Sequence, residues 1–254
     1  MEVKDLNPKI LWKNFYDLNQ VPRPSKKEER VRNFMKEFAV RVGLKAEEDN
    51  TGNILIRKPA SEGCENSKTI VLQSHLDMVH QKNNDTEFNF DEDPIQMKID
   101  GEWVKAQGTT LGADNGIGVA AAMAVLESKD LSHGPIEAIF TIDEETGMTG
   151  AFGLEPNWLK GDYLLNMDSE DEGELYIGCA GGIDYTATYT CEKTEIPENG
   201  KVIELKVKGL KGGHSGMDIV LNLGNANKIL GALLNSIVGL NFRLCSLEGA
   251  NLRN

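Results

Sequence analysis

The chain has 254 residues, with 40 acidic and 27 basic side chains and a formal net charge of −13 at pH 7. This acidic balance argues against nucleic acid or an anionic membrane as the main partner, because both bind basic surfaces. No apolar run approaches the roughly 20 residues of a membrane span, and the first residues lack the layout of a signal peptide, so we expect a cytoplasmic protein.

The elements predicted along the first part of the chain alternate between helices and strands. Ser25 and Glu28 have the spacing of a capping box, and the apolar residues that follow at helical spacing predict a helix that stops at Gly43. Five β-rich stretches come next, with an alanine-rich helix, GIGVAAAMAVLES, between the third and the fourth. These stretches are NILIRK, TIVLQSH, MKIDGEWVKA, IEAIFTID and DYLLNMD. The alternation predicts an α/β fold whose sheet is covered on both faces.

The pattern changes after the glycine cluster GCAGG at residues 178–182. Two segments with alternating apolar residues, DYTATYT and VIELKVKGL, predict strands, and a helix is predicted from about Val220 to Val238. We therefore place a domain boundary at this cluster, with one domain over residues 1–182 and a second over residues 183–254.

Histidine and acidic side chains recur where the predicted strands end or where the alanine-rich helix begins. Three consecutive carboxylates in TIDEETGMTG raise one another's pKa and repel, so their clustering calls for a compensating charge. Ligands gather at the strand ends of open α/β sheets, and a shared metal ion would supply that charge. The side chains in question are His75, Asp77, Asp114, Asp143, Glu144, Glu145 and Asp168.

Each of these signals also has an ordinary structural explanation. The HxD pair of His75 and Asp77 is a weak motif that often belongs to a surface or capping histidine. Asp114, placed just before a helix, has the position of an N-cap residue. The pair Glu144 and Glu145 is typical of a solvated face. Taken together, these explanations require four coincidences at element ends, and the metal site requires one.

Eight strings of the sequence together resemble the aminoacyl-histidine dipeptidases, also called Xaa-His dipeptidases or bacterial carnosinases, in the clan of di-zinc aminopeptidases and aminoacylases. They extend over nearly the whole chain and are SHLDMV, QKNNDT, DPIQ, GEWVKAQGTTLGADNGIG, EETGMTGAFGL, NMDSEDEGE, GCAGGID and GLKGGHSG. The resemblance implies a three-layer α/β catalytic domain into which a smaller α+β lid domain is inserted. It also implies two divalent metal ions bridged by one carboxylate and a water.

The resemblance assigns the metal ligands residue by residue. His75, Asp114 and Asp168 would bind one metal ion, while Asp114 would bridge to a second ion that Glu145 also binds. A carboxylate can serve as the bridge because it has two oxygens. The peptide bond between Asp114 and Asn115 would be cis. Zinc is the expected metal, with manganese and cobalt as alternatives.

Three further residues take catalytic roles under the same resemblance. Glu144 would be the general base, and Asp77 would orient the imidazole of the metal-binding histidine. His214, in the lid motif KGLKGGHSGMD, would contact the substrate and stabilise the oxyanion once the lid closes, or would do so in the site of a partner subunit. The alternative for His214 is a turn histidine among glycines.

The implied reaction is the hydrolysis of dipeptides, preferentially Xaa-His, by a water that two metal ions activate. The implied partners are a small peptide substrate and, through the lid domain, a second copy of the chain. One alternative is another exo-acting amidohydrolase of the clan, namely an aminoacylase, tripeptidase or carboxypeptidase. The other is a non-catalytic metal-binding fragment, and the continuation of the reading frame would separate it from an enzyme.

One departure from the family pattern concerns the second metal ion. The family takes its last histidine ligand from a segment after the lid, and this chain stops at EGANLRN, inside the expected lid. We therefore expect a fragment of a longer protein. The 254-residue chain alone would bind about one metal ion in a three-ligand site and would show no appreciable dipeptidase activity.

Overall fold

A computed structural model gives the fold. The structure describes residues 2–169, 171, 173–179, 185–212, 217–240 and 242–249. The chain forms two compact units, Met1–Leu175 and Tyr176–Asn254. The domain boundary expected between residues 182 and 183 lies outside the described residues.

The first unit alternates between helices and strands, which confirms the α/β class predicted from the sequence. Its α-helices are α1 (Lys9–Asn19), α2 (Glu29–Arg41), α3 (Ala113–Glu127), α4 (Glu144–Gly147) and α5 (Thr149–Phe152). Its strands are β1 (Lys45–Glu48), β2 (Ile54–Lys58), β3 (Ile70–His75), β4 (Met97–Asp100), β5 (Trp103–Ala106), β6 (Ile136–Thr141) and β7 (Tyr163–Asn166). A 3₁₀ turn, Val3–Asp5, precedes α1.

Five strands form the main sheet in the order β1-β2-β6-β3-β7. β2 runs antiparallel to both of its neighbours, whereas β6, β3 and β7 run parallel to one another. In their register, Ile70 of β3 lies opposite Ile136 of β6 and Tyr163 of β7. The carboxyl ends of these three strands therefore lie along the same edge of the sheet, where side chains from different strands can meet.

Apolar side chains cover both faces of this sheet, because successive residues of a strand point to opposite sides. The larger cluster, which includes buried residues of α2 and α3, takes Ile54, Ile56, Leu72, Ala138 and Phe140 from the strands. The smaller cluster, on the opposite face, contains Leu55, Val71 and Ile139, with Leu154, Trp158 and Leu159 packed against it. Burial of each large side chain contributes roughly 1.5–3 kcal/mol, so the two clusters hold the strand ends in place.

The stretch MKIDGEWVKA forms a separate two-stranded hairpin. β4 and β5 pair antiparallel, with Met97 opposite Ala106 and Asp100 opposite Trp103. Gly101, at the turn, has a φ of 62°, a left-handed conformation that glycine adopts without strain. Among the residues that the structure describes, no helix combines the length and the apolar character needed to cross a membrane.

The second unit contains one described α-helix, α6 (Ala226–Ser236), inside the span predicted from Val220 to Val238. The side chain of Asn225 accepts a hydrogen bond of 2.9 Å from a backbone N–H of the first turn, so it caps the helix. Two 3₁₀ turns, Met217–Leu221 and Val238–Leu240, flank α6. Helical structure therefore extends over most of the predicted span, but α6 is shorter than the pattern indicates.

The prediction of two strands in the second unit is wrong for the residues described there. Neither residues 185–190 nor residues 202–210 form a strand. An alternating pattern gives a strand only where the backbone finds a hydrogen-bonded neighbour and one face is buried. The tyrosines of the first segment, Tyr185 and Tyr189, are 89% and 87% exposed, and Val202 and Ile203 are each 78% exposed. Neither segment has the buried face that would hold it in a sheet.

The capping box predicted before α2 is also wrong. The helix begins at Glu29, and its N-cap residue, Glu28, makes no side-chain capping hydrogen bond. Ser25 Oγ instead donates to Asp77 Oδ2 at 2.8 Å. Glu28 Oε1 accepts a hydrogen bond of 3.2 Å from the backbone N–H of Asp143. Glu28 Oε1 also accepts a local hydrogen bond of 2.7 Å from the backbone N–H of Lys26, but not the bond of a capping box. Both side chains take distant partners because they are buried beside the strand ends, where other backbone and carboxylate groups need partners.

Candidate metal centre

Five predicted ligand and base residues converge where the parallel strands end. His75 is the last residue of β3, Glu144 and Glu145 open α4 just after β6, Asp168 follows β7, and Asp114 lies in the first turn of α3. The ligand atoms of His75, Asp114 and Asp168 lie within 4.8 Å of one another, and so do those of His75, Glu144 and Glu145. Two overlapping groups of possible metal ligands therefore share one histidine.

The histidine ring lies at the centre of this arrangement. Its Nε2 is 3.0 Å from Asp114 Oδ1, 3.7 Å from Asp168 Oδ1 and 3.9 Å from Glu144 Oε2. The His75 side chain is 1% exposed, whereas those of Asp114, Glu144 and Asp168 are 52%, 33% and 28% exposed. The ring is therefore fixed by the core, and the carboxylates around it face solvent, where a substrate can reach them.

Asp77 contacts both the histidine and the start of α4 and fixes their relative position. Its Oδ1 lies 3.2 Å from His75 Nδ1 and accepts a hydrogen bond of 3.0 Å from the backbone N–H of Glu144. Its Oδ2 accepts from the backbone N–H of Glu145 at 3.2 Å and from Ser25 Oγ at 2.8 Å. Burial opposes the shift, but the hydrogen bond with His75 lowers the pKa of Asp77 to about 2. Asp77 is thus an anionic anchor that directs the histidine Nε2 toward the exposed carboxylates.

Asp114 and the residue after it contact two different strand ends. The peptide bond between Asp114 and Asn115 is cis, as the resemblance implies. Asp114 Oδ1 contacts the histidine at the end of β3, while Asn115 Nδ2 donates a short hydrogen bond to Asp168 Oδ1 after β7. Asn115 is 2% exposed. The start of α3 therefore links the ends of two strands and contacts one predicted ligand on each.

The charges at the site are unbalanced. Burial raises the pKa of Glu145 to about 7, and the negative charge of Asp114 adds to this effect. Burial also raises the pKa of Glu144 and that of Asp168. Burial lowers the pKa of His75, but hydrogen bonds with carboxylates outweigh it and raise that pKa to about 10. The ring shows the largest shift because several carboxylates act on it at once.

The donor set fits divalent metal ions. An imidazole and four carboxylates are ligands that zinc, manganese and cobalt accept. Neither Glu144 nor Glu145 accepts a hydrogen bond through its carboxylate from a residue that the structure describes. Burial, the largest cause, and the neighbouring carboxylates raise the pKa of Glu145, so its negative charge is disfavoured in the metal-free protein. A divalent cation would supply a compensating positive charge. We call Asp114, Glu144, Glu145 and Asp168 the outer carboxylate group.

A second acidic group lies deeper. Glu28, Asp77 and Asp143 are all buried, and their carboxylate oxygens lie within 4.8 Å of one another. Donors of the protein itself surround this inner carboxylate group. Asp143 accepts short hydrogen bonds from the hydroxyls of Thr146 and Thr149, and the other two carboxylates accept from backbone N–H groups. The inner group therefore supports the loop that carries Glu144 and Glu145.

Several supporting residues were not predicted from the sequence. The spacing of Ser25 and Glu28 predicts a helix cap, and no motif assigns a role to Arg23 or Asn115. The arginine is 1% exposed. The signal available in the sequence is the position of this arginine between two prolines, the second of which precedes Ser25. Two prolines indicate a rigid loop, and a buried charge in such a loop is unusual. The predicted lid histidine, His214, lies outside the described residues, and its role stays a prediction.

The sequence and the structure have relatives among peptidases. Residues 71–232 match the peptidase family M20/M25/M40. The chain is 52% identical over 254 residues to the cytosol non-specific dipeptidase of Escherichia coli (strain K12). The matched region covers all of this chain and 52% of that protein. The crystal structure of an aminoacylhistidine dipeptidase from Vibrio alginolyticus matches with a TM-score of 0.71 at 49% identity, covering 98% of this chain and 52% of the other.

A more distant structure shares part of the fold. The aminopeptidase PepT from Bacillus cereus ATCC 10987 matches with a TM-score of 0.55 at 27% identity, over 65% of this chain and 44% of the other. The chain thus spans about half the length of the relatives that it matches. The family match covers well over half of the chain, and the resemblance inferred from the motifs is confirmed. The protein belongs to peptidase family M20/M25/M40.

Proposed function

We propose that the protein hydrolyses dipeptides by a metal-dependent mechanism and prefers Xaa-His dipeptides. The observation that carries this proposal is the convergence of one histidine and four carboxylates at the carboxyl edge of the sheet. Identity of about half over the whole chain to two relatives that are both named dipeptidases supports it. The name of the Escherichia coli relative also supports a cytosolic location.

The ligands divide between two divalent ions, with zinc expected and manganese or cobalt as alternatives. His75, Asp114 and Asp168 would hold one ion, and Asp114 would share its second oxygen with the ion that Glu145 holds. When bound, such a pair lowers the pKa of a water and polarises the scissile carbonyl. The protein's contribution is to fix the ligands, since the core holds the histidine ring and Asn115 holds Asp168.

Glu144 is the carboxylate best placed to move protons. Its backbone N–H is held by Asp77 at 3.0 Å, while its carboxylate lies 3.9 Å from the histidine Nε2 and accepts no hydrogen bond from a described residue. It is therefore free to accept a proton from the attacking water and to return it to the leaving amine nitrogen. His214, as an oxyanion donor, and pairing with a second copy of the chain belong to the same proposal and follow from the resemblance alone.

Substrate preference is the finer part of the proposal. The Vibrio relative is named for aminoacyl-histidine substrates, whereas the Escherichia coli relative is named non-specific. We expect the outer carboxylate group to act at the peptide bond, so it does not by itself distinguish the two specificities. We assign the Xaa-His preference on the motif resemblance, and the experiment below separates the two specificities.

A hydrolysis panel tests the proposal. The purified protein, expressed over its whole reading frame, is assayed with β-Ala-His, Ala-His, Ala-Ala and Gly-Leu, with N-acetyl-Ala-His and Ala-Ala-His as blocked and lengthened controls. We expect cleavage of the free dipeptides only, loss of activity with a chelator, recovery with added zinc, and kcat/KM about tenfold higher for Xaa-His dipeptides. Preferred cleavage of the acetylated substrate would favour an aminoacylase, and preferred cleavage of the tripeptide would favour a tripeptidase. Hydrolysis that persists without metal would contradict the mechanism.

A further inference from the structure

We propose that Arg23 is a positioning residue of the metal centre. Its buried guanidinium joins the backbone after β3 to the turn before α3, and in this way sets the separation of His75 and Asp114. This inference rests on the proposed function, because it takes those two side chains to be ligands of one metal ion.

The guanidinium uses both of its terminal nitrogens as bridges. Nη1 donates to the carbonyl oxygens of Leu76 and Asp77 at 3.0 and 3.1 Å. Nη2 donates to the carbonyl oxygen of Gly112 at 2.6 Å and to Asn19 Oδ1 at 3.1 Å. The four hydrogens of the two Nη atoms therefore all have acceptors. Nη1 therefore binds the backbone just after β3, and Nη2 binds the turn just before α3.

Both bridged segments carry a ligand nearby. Leu76 directly follows His75, and Gly112 lies two residues before Asp114. The two ligand side chains are 3.0 Å apart at Nε2 and Oδ1. A planar guanidinium fixes the distance between the carbonyl groups that it binds, whereas a lysine ammonium is a single point on a flexible stem. Arg23 therefore holds the two ligand-bearing backbones at a set spacing.

Two glycines leave the space that the guanidinium occupies. A Cβ at Gly112 would lie 2.5 Å from Arg23 Nη2, and a Cβ at Gly116 would lie 2.7 Å from the same atom. Gly112 also has a φ of 70°, which favours glycine. Asn19 also bonds this turn directly, since its Nδ2 donates to the carbonyl oxygen of Leu111 at 3.2 Å. The fit is tight on every side, so a displaced guanidinium would move the turn.

The hydrogen bonds of Arg23 indicate that it positions backbone groups more than it pairs with a negative charge. Its hydrogen-bond partners are three carbonyl groups and one amide oxygen, and the nearby carboxylates of Asp77, Asp114 and Glu145 act on it without a direct hydrogen bond. Burial of a charge is costly, and the four hydrogen bonds of the guanidinium and the nearby carboxylates offset that cost. Arg23→Lys keeps the positive charge and removes the fork, so this variant separates position from charge.

The test measures zinc affinity by titrating the metal-free protein in competition with a chelator. Thermal unfolding and far-ultraviolet circular dichroism establish that each variant is folded. We expect Arg23→Lys to bind zinc about 10- to 100-fold more weakly than wild type, the usual effect of losing a residue that orients a ligand. The control is Arg57→Lys, since Arg57 pairs with Glu137 at 2.8 Å near the start of β6, away from the site. That variant should bind zinc like wild type.

A second variant displaces the guanidinium without changing any charge. Gly116→Ala adds a methyl group 2.7 Å from Nη2 and 3.0 Å from Cε2 of the buried Phe15 ring, and alanine is the better helix former of the two residues. It should weaken zinc binding in the same direction, while Gly231→Ala in α6, where a Cβ meets nothing within 4 Å, should not. Because the two changes share the contact at Nη2, Gly116→Ala should cost less affinity in the Arg23→Lys background, where only its effect through Phe15 should remain, than in wild type.

The outcomes separate this inference from the proposed function. Wild-type protein that binds no divalent metal would overturn the proposed function itself. Wild-type protein that binds zinc, together with folded Arg23→Lys or Gly116→Ala variants of unchanged affinity, would overturn only the role of Arg23. If Arg23→Lys does not fold, Gly116→Ala decides the question. If neither folds, the arginine belongs to the fold and not to the metal centre, and the inference is wrong.

Discussion

The inner and outer carboxylate groups lie side by side at the same edge of the sheet, but they differ in how their negative charge is compensated. The inner group, Glu28, Asp77 and Asp143, is at most 5% exposed and accepts hydrogen bonds from backbone N–H groups and hydroxyls. In the outer group, Glu144 and Glu145 have no such donors among the described residues. We infer that the inner carboxylates, which have donors, are structural, and that Glu145, which lacks donors, needs a cation.

Asp77 couples the two groups. It belongs to the inner group by burial and by its bond to Ser25, but it also contacts His75, whose opposite nitrogen faces the outer group. The inner group therefore helps to fix the direction of the His75 ring, which is a predicted metal ligand. Four changes test this division of labour, and their expected effects decrease in the order given.

Replacing the shared ligand should have the largest effect. Asp114→Ala removes the one carboxylate assigned to both metal ions, so we expect neither ion to bind and no activity to remain. Asp168→Ala is the matched control, since it removes a ligand assigned to one ion and should chiefly weaken that ion. Metal content by elemental analysis and metal titration measure both effects. Uptake of two equivalents by Asp114→Ala at wild-type affinity would show that Asp114 is not the bridge.

Replacing the proposed base should slow turnover while leaving the metal in place. Glu144→Gln keeps the size of the side chain and removes its ability to accept a proton, so kcat should fall about 10²- to 10⁴-fold. Metal content should stay near wild type, because Glu144 is not assigned as a ligand. Glu145→Gln is the control and should lose metal. A metal-poor Glu144→Gln variant would mean that the two adjacent glutamates have exchanged roles.

Metal binding should release protons. The pKa of His75 is about 10 in the metal-free protein, so the ring is protonated at neutral pH and must lose a proton before Nε2 can bind a metal. Affinity for the first ion should therefore rise about tenfold per pH unit between pH 7 and 9. Glu145 has a pKa of about 7, so below that pH metal binding should release a second proton from its carboxyl group. Calorimetry in buffers of different ionisation enthalpy counts the protons, and no release at pH 8 would contradict this assignment.

The outer group could be predicted from the sequence because its signals are local. A strand pattern that ends on His75, and others that end next to Glu144 and Asp168, place those side chains at one edge of a parallel sheet by topology alone. The sheet and α3 could be predicted for the same reason, since apolar periodicity marks a buried strand or helix within a few residues.

The inner group could not be predicted, because its partners are distant in sequence. Ser25 and Glu28 have the spacing of a helix cap, and nothing local shows that their partners are Asp77 and Asp143 instead. The same limit explains the missing strands of the second unit, since alternation reports a possible face but not the neighbour that would bury it. Arg23 is the extreme case, because its role consists entirely of bonds to remote carbonyl groups.

The smallest effect is expected within the inner group. Glu28→Gln keeps the Oε1 acceptor for the backbone N–H groups of Lys26 and Asp143, which lie at 2.7 and 3.2 Å. The free energy of unfolding should therefore change by less than about 1 kcal/mol, and zinc affinity should be unchanged. Glu28→Ala is the control, and it should lose about 1–3 kcal/mol because the buried N–H of Asp143 then has no acceptor.

The pH dependence of Glu28→Gln sharpens the same test. Burial raises the pKa of Glu28 above its usual 4.5, so the folded wild type favours the protonated carboxyl and loses stability as the pH rises through that range. Gln does not ionise, so the stability of the variant relative to wild type should be higher at pH 7 than at pH 4. Urea unfolding at the two pH values measures this difference. A Glu28→Gln variant that is stable but has lost bound zinc would show that the inner group is itself a metal site.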